Sequence, residues 1–291
     1  MPQNTNPNQS GWLSRFAFGR PVLFSLLVIL ITGLLTEIPL HIILEPWVGS
    51  PDAIFWEITI LHSLTGLLLV GLLVRLGLLK RAGFTPPGQW RVLWVVWPLA
   101  ILTLLNFELL LSGRLVVDTS RPGLIALYVV RNLAIGFLEE VMGRGVVLTV
   151  MLRKWGNTRR GIYRAVLVSS ALFGVAHIFN LVAGRLPPLA SLTQIIVSFI
   201  FGVAFAACFL RNNTIWPVVV VHAMMDIGGG LRHIAVGGAE QIAVANTTWA
   251  QVAATLVVSL PLLLYSLFIL RRVRPDGRHC SAQSIPPQDP T

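Results

Sequence analysis

The sequence predicts an all-α polytopic membrane protein with about eight transmembrane helices. Of its 291 residues, 55% are hydrophobic and only 12% are charged, and the mean hydropathy is +0.75. Soluble domains carry about 25% charged residues. The apolar residues also fall into long runs, most of them close to the roughly 20 residues that a helix needs to cross a bilayer. Composition and run length together favour a membrane protein over a soluble one.

Eight apolar segments are long enough to be predicted as spans. They are 21–44, 53–79, 92–112, 122–152, 162–184, 190–210, 214–231 and 247–270. The fourth is too long for a straight perpendicular crossing, so we expect it to tilt or to project into the cytosol. The seventh is short. The predicted domains are therefore a polar cytosolic N-terminus, a transmembrane helical domain, and a basic and then disordered cytosolic tail, at residues 1–20, 21–270 and 271–291.

The net charge of +10 is explained by membrane orientation. With the N-terminus inside, 16 of the 22 lysines and arginines fall in cytosolic segments and 4 in outer loops. This asymmetry follows the positive-inside rule and predicts that both termini are cytosolic. The excess of positive charge therefore requires no nucleic-acid partner. The polar N-terminus does not resemble a signal peptide, and the lack of a targeting segment favours a bacterial plasma membrane.

Three predicted spans contain polar residues that a lipid-facing helix should not have. On insertion scales each charge at a helix centre costs about 2.5–3.5 kcal/mol. Three pairs of side chains are spaced i and i+4, which places each pair on one helix face: Glu140 with Arg144, Phe173 with His177, and His222 with Asp226. Glu139 precedes the first pair.

These groups are predicted to lie at a similar depth in the membrane. Glu139, His177, His222 and Asp226 are 11–15 residues from the nearest inner cation, or about 16–22 Å along a helix. One buried cavity between the fourth, fifth and seventh helices could therefore contain them all. Carboxylates and imidazoles can activate a water molecule, as general bases or by holding a metal. A second set of groups must stabilise the oxyanion of an attacked carbonyl.

The three motifs, in this order, resemble those of the CAAX-protease and bacteriocin-processing family of intramembrane endopeptidases. They are EExxxR at 139–144, FxxxH at 173–177 and HxxxD at 222–226, and the resemblance covers about residues 120–230. It implies that Glu139 is the catalytic glutamate and that His177 helps it to activate water. Glu140 and Arg144 would form a supporting pair.

The resemblance also implies that His222 and the residue at position 226 stabilise the oxyanion. The family more often has Asn there, and this chain has Asp226. Either Asp226 is protonated in a buried site, or it orients His222, or the site holds a metal. Zn²⁺ accepts imidazole nitrogen and carboxylate oxygen, so a zinc set of Glu139, His177 and His222 is the alternative. Gly143 replaces a bulky aromatic residue that often precedes the Arg.

The sequence therefore predicts an intramembrane endopeptidase whose partners are the lipid bilayer and a membrane-bound or membrane-proximal peptide or protein substrate. Two other functions remain open. Asp226 gives some support to a catalytically silent family member that regulates another membrane protein. Buried carboxylates and histidines also serve as proton relays in transporters, although we find no inverted repeat of the kind that many transporters show.

Overall fold

The protein is described by a computed structural model that covers residues 11–86, 90–237 and 247–275. Within these ranges the structure is helical, with no β-strand and one isolated backbone bridge between Val117 and Ala235. This confirms the predicted all-α class. The predicted N-terminal segment is described only from residue 11. The part of the predicted tail from residue 276 onwards lies outside the described residues.

The described helices follow one another with short connections. They are α1 (Trp12–Gly19), α2 (Pro21–Thr36), α3 (His41–Val48), α4 (Ser50–Arg75), a 3₁₀ segment (Trp90–Val96), α5 (Trp97–Leu105), α6 (Glu108–Leu111), α7 (Pro122–Glu140), a π-helical segment (Val141–Leu148), α8 (Thr149–Trp155), α9 (Arg159–Ala176), α10 (Ile178–Val182), α11 (Pro188–Asn212), α12 (Trp216–Gly229), a second 3₁₀ segment (Leu231–Ile234) and α13 (Trp249–Leu270).

Five helical stretches in the described part of the chain are long and apolar enough to cross a membrane. They are Pro21–Val48, Asp52–Arg75, Arg159–Val182, Pro188–Asn212 and Trp249–Leu270. They correspond to the predicted first, second, fifth, sixth and eighth spans. The third and seventh contain shorter apolar helices, at Leu93–Leu105 and Trp216–Gly229. The polytopic helical architecture is therefore confirmed, while the orientation of the termini stays a prediction.

The predicted fourth span is a continuous helical run from α7 through the π-helical segment to α8. All eight residues of the π-helical segment are buried. The hydroxyl of Thr149 donates to the carbonyl of Arg144, five residues earlier, at 2.9 Å. Segments with the wider π turn occur frequently at functional sites. Here the segment begins directly after the two glutamates and contains Arg144.

A tight turn fixes the start of α12. Asn213 ends α11 in the left-handed conformation (φ 54°), and the backbone N–H of Ile215 donates to the carbonyl of Gly83 at 3.1 Å. Gly83 has φ 78°, and a Cβ there would lie 2.7 Å from the Ile215 nitrogen. Only glycine combines this backbone conformation with so close an approach. The loop after α4 therefore anchors the turn from which α12 extends toward the site.

Small residues let the central helices approach closely, as expected for helix packing in membranes. A Cβ at Gly136 of α7 would lie 2.9 Å from the backbone nitrogen of Ala223 in α12. A Cβ at Gly202 of α11 would lie 3.0 Å from the Cβ of Ser170 in α9. Backbone contact at these points sets the distances between the helices that contain the predicted site residues.

We expect Gly136→Ala to destabilise the protein by about 1–3 kcal/mol, because the new methyl group meets the backbone of α12 and the helices must separate. Thermal unfolding in detergent micelles would measure the change. Gly71→Ala is the matched control, since a Cβ at Gly71 would meet nothing within 4 Å. Equal melting temperatures for the two variants would contradict this account of the α7–α12 contact.

Candidate active site

A buried ion pair lies at the junction of α7 and the π-helical segment. Arg144 Nη1 donates to Glu140 Oε1 at 2.8 Å, and the two side chains are 3% and 0% exposed. The pairing predicted from their i, i+4 spacing is present. A buried carboxylate without a partner would be strongly destabilising, so Arg144 supplies the countercharge that Glu140 needs at this position and orients its side chain.

The guanidinium of Arg144 lies between two aromatic rings. It is 4.6 Å from the ring centre of Phe173 in α9 and 5.0 Å from that of Phe205 in α11. Its Nη2 also donates to the carbonyl of Gly202 at 3.3 Å. A planar guanidinium suits stacking and forked hydrogen bonding better than an ammonium group does. The surroundings therefore favour Arg over Lys and connect three helices through a single side chain.

Glu140 also orients the predicted oxyanion histidine. The Nδ1 of His222 lies 2.7 Å from Glu140 Oε1. Because Oε1 of Glu140 already accepts a hydrogen bond from Arg144, we assign it as the acceptor here too and Nδ1 as the donor. The imidazole stacks on Phe205, with ring centres 5.2 Å apart and an interplanar angle of 10°, and it meets the Phe173 ring edge-on at 6.4 Å. These contacts fix the ring and direct Nε2 away from Glu140.

Two further carboxylates lie near the Nε2 of His222. Glu139 Oε2 is 3.5 Å away, and Asp226 Oδ2 is 3.8 Å away. Glu139 is at the end of α7, while Asp226 is one turn beyond His222 on α12. Five of the six predicted site residues therefore form one group centred on His222, as their predicted depths required.

The sixth predicted residue, His177, joins this group through a shared cavity. It lies at the break between α9 and α10, and its Nδ1 is 3.0 Å from the carbonyl of Phe173. A carbonyl can only accept, so Nδ1 donates and Nε2 of the neutral ring is left as an acceptor. His177 and Glu139 both line a cavity of about 160 Å³, together with Phe173 and Met142.

Two contributions to the site were not foreseen from the sequence. Phe205 stacks on His222 and lies against Arg144. His62 lines the cavity with Glu139. Phe205 sits on α11, which has no motif residue, so no sequence signal marks it. A lone histidine in an apolar helix was the available signal for His62.

The zinc set of Glu139, His177 and His222 does not form a ligand cluster in this arrangement. Among residues 11–86, 90–237 and 247–275, no three His, Cys, Asp or Glu side chains are grouped so that they could hold a metal. One ring nitrogen of His222 is already bonded to Glu140. Zinc binding by this set stays a prediction, and we derive no catalytic step through it.

The fold and the site define an all-helical membrane protein with a buried carboxylate–histidine centre. Residues 121–228 match the family model described as "Type II CAAX prenyl endopeptidase Rce1-like". The match contains all six predicted site residues and confirms that this part of the chain is a CAAX-protease family domain. Comparison with curated proteins and with solved structures gave no match.

We expect Arg144→Met to destabilise the protein by about 3–5 kcal/mol, because it removes the cation that neutralises the buried carboxylate of Glu140. The double variant Glu140→Gln/Arg144→Met should recover much of this loss, since no buried charge is left unpaired. Thermal unfolding in detergent would measure both. The pairing would be contradicted if the two effects simply added. The double variant would then be less stable than Arg144→Met by the whole loss that Glu140→Gln causes alone.

Proposed function

We propose that this protein is an intramembrane endopeptidase that hydrolyses a peptide bond of a membrane-bound or membrane-proximal substrate. The observation that supports this most directly is the position of Glu139. Its carboxylate lies 3.5 Å from Nε2 of His222, and the residue lines the cavity that His177 also lines. A general base and a second acceptor thus line one cavity, and a hydrogen-bond donor, His222, lies beside the general base.

The first chemical step would use Glu139 and His177. Glu139 is the group we assign to take a proton from a water molecule in the cavity, and the free Nε2 of His177 would accept a hydrogen bond from that water and orient it. The water oxygen would attack the carbonyl carbon of the scissile peptide bond. Glu139 would then return the proton to the leaving amine. Active-site carboxylates commonly act first as a general base and then as a general acid in this way.

The oxyanion formed by this attack needs a positioned donor. With both ring nitrogens protonated, His222 would donate through Nδ1 to Glu140 and would present the N–H of Nε2 beside Glu139. Glu140 would therefore act by holding the ring, and Arg144 by holding Glu140. Such a relay resembles the way in which a buried carboxylate orients the histidine of a hydrolase triad. Asp226, as a carboxylate, would orient His222 rather than donate to the oxyanion.

The proposed substrate is a peptide segment that reaches the cavity from the bilayer or from the cytosol. The cavity is bounded by apolar side chains from several helices, including Ile29 of α2, Met142 and Phe179, in addition to its polar groups. We propose that the protein acts in a bacterial plasma membrane with both termini in the cytosol, because the cation distribution favours that orientation. The residues of the site do not require a prenyl group on the substrate.

A regulatory protein without catalytic activity is the second candidate. It is favoured by one observation, the carboxylate of Asp226 located 3.8 Å from His222 Nε2, where the family more often has Asn. An ionised carboxylate near the oxyanion would oppose its formation. In this case the same cavity would bind a membrane partner without cleaving it.

We expect Glu139→Gln to abolish cleavage, because the amide cannot accept the proton of the attacking water. The measurement compares peptide termini in the membrane proteome of cells that carry the wild type or the variant at equal expression. Termini present only with the wild type would support proteolysis and identify the substrate. His177→Ala should lower the same cleavage by about 10²-fold or more, in the range of a lost acid–base group.

Glu108→Gln is the control for this comparison. Glu108 is an exposed residue that pairs with Arg114 outside the site, so its variant should give the wild-type set of termini. If wild type and Glu139→Gln give identical termini while deletion of the gene still alters the cells, the protease function is wrong and the regulatory function takes its place.

A further inference from the structure

Arg131 is a largely buried cation of α7 for which the proposed mechanism has no use. Its guanidinium lies 4.8 Å from the ring centre of Phe55 in α4. Its Nε and Nη1 are both buried and have no hydrogen-bond partner among the described residues. Buried guanidinium groups are normally paired, because removing a charge from water is strongly unfavourable. Contact with one aromatic face compensates only part of this.

Asp226, which has the opposite charge, also has a polar atom without a hydrogen-bond partner. Its Oδ2 is buried without a hydrogen-bond partner in the part of the chain that the structure describes, and its nearest cationic neighbour is His222 at 3.8 Å. A largely buried cation with unpaired N–H groups and a partly buried carboxylate with one unpaired oxygen therefore occur on two neighbouring helices.

The register of α7 against α12 places these two residues at the same level. Glu140 bonds to His222, Gly136 packs on Ala223, and the hydroxyl of Tyr128 donates to the carbonyl of Ile227 at 2.6 Å. The two helices are therefore antiparallel, so earlier positions in α7 lie beside later positions in α12. Positions between 136 and 128 oppose positions between 223 and 227.

Arg131 lies in that interval of α7, and Asp226 lies in the opposing interval of α12. The hydroxyl of Tyr128, one turn before Arg131, is also 3.4 Å from the carbonyl of Asp226 itself. Opposite charges at the same level of two packed helices attract each other.

We propose that Arg131 is a positioning residue of the active site, which offsets the charge of Asp226 and so allows a carboxylate to occupy a position beside the oxyanion. This inference rests on the proposed function. The attraction between opposite charges is stronger in surroundings of low polarity than in water, and it falls with their separation. A cation behind Asp226 therefore weakens the repulsion between its carboxylate and the developing oxyanion.

This account also explains how His222 remains available to the substrate. The carboxylate of Asp226 lies 3.8 Å from Nε2 and is not hydrogen-bonded to it. With Arg131 offsetting its charge, this carboxylate attracts the Nε2 donor less strongly than an unpaired anion would. Nε2 is then available to donate to the oxyanion. A purely structural Arg131, held only by Phe55, would stabilise the contact of α4 with α7 and have no relation to residue 226.

The test is a double-mutant cycle with Arg131→Met, Asp226→Asn and the two combined, measured in the full-length protein in detergent or nanodiscs. In the wild-type background, Arg131→Met should lower kcat by about 10²-fold, the effect of one lost electrostatic contribution to an oxyanion, with KM little changed. In the Asp226→Asn background the same substitution should change kcat by less than about 3-fold, because no carboxylate charge is left to offset.

Arg121→Met is the matched control. Arg121 immediately precedes α7 and pairs with Asp52 at 2.7 Å, away from the site. It removes the same charge from a position that pairs with Asp52, so its effect should be equal in the two backgrounds. Equal losses of kcat for Arg131→Met in both backgrounds would overturn the inference and assign Arg131 to packing.

Thermal unfolding of the same four proteins separates this inference from the proposed function. Arg131→Met should lower the melting temperature more when residue 226 is Asp than when it is Asn. If the wild type cleaves no peptide but this difference is present, the proposed function fails while the Arg131–Asp226 pairing stands. If the wild type is active and neither kcat nor melting temperature shows coupling, the inference alone is wrong.

Discussion

The buried contact between Glu140, Arg144 and His222 is the interaction on which the rest of the site depends. One carboxylate oxygen, Oε1 of Glu140, accepts from Nη1 of Arg144 and from Nδ1 of His222, both within 2.8 Å. The ion pair is made within one helical run, but the histidine comes from another helix. A charge that would be unfavourable in an apolar helix therefore connects α7 to α12 and sets the direction of the His222 imidazole.

The aromatic residues complete this connection without adding charge. Phe173 and Phe205 each contact both Arg144 and His222, and they come from α9 and α11. The negative faces of the rings suit a guanidinium, and their bulk separates the ion pair from lipid. Low polarity around the pair strengthens its electrostatics, so the two rings contribute to the orientation of His222 as well as to packing.

Much of the fold and of the site could be predicted from the sequence, for identifiable reasons. Run length and composition predict helices that cross a membrane, and spacing of i and i+4 predicts contacts within one helix, such as Glu140 with Arg144. Contacts between helices have no such signal. The bond from His222 to Glu140 joins residues 82 apart, and the stacking of Phe205 depends on how α11 packs beside α12.

The sequence patterns also did not predict two local irregularities of the helices. The π-helical segment from Val141 to Leu148 and the helix break at His177 arise where side-chain hydrogen bonds and packing outweigh the regular α-helical pattern. Propensity is a weak guide in such places, because tertiary contacts routinely override it. Both irregularities occur at the predicted motifs, which is where conflict between local preference and function is expected.

The balance of charge around His222 bears on the unusual residue at position 226. Three carboxylates, those of Glu139, Glu140 and Asp226, surround or bind this imidazole, and Arg144 neutralises one of them. With Asn at position 226, one carboxylate would be left for the general base and the imidazole would face a single anion. With Asp, a second negative charge must be matched within the same apolar surroundings. In the proposed arrangement Arg131 of α7 supplies that match, and the groups proposed to activate water, Glu139 and His177, are unchanged. The exchange of Asn for Asp therefore does not by itself indicate loss of activity, because the electrostatic environment of a site is set by all the charges that face it.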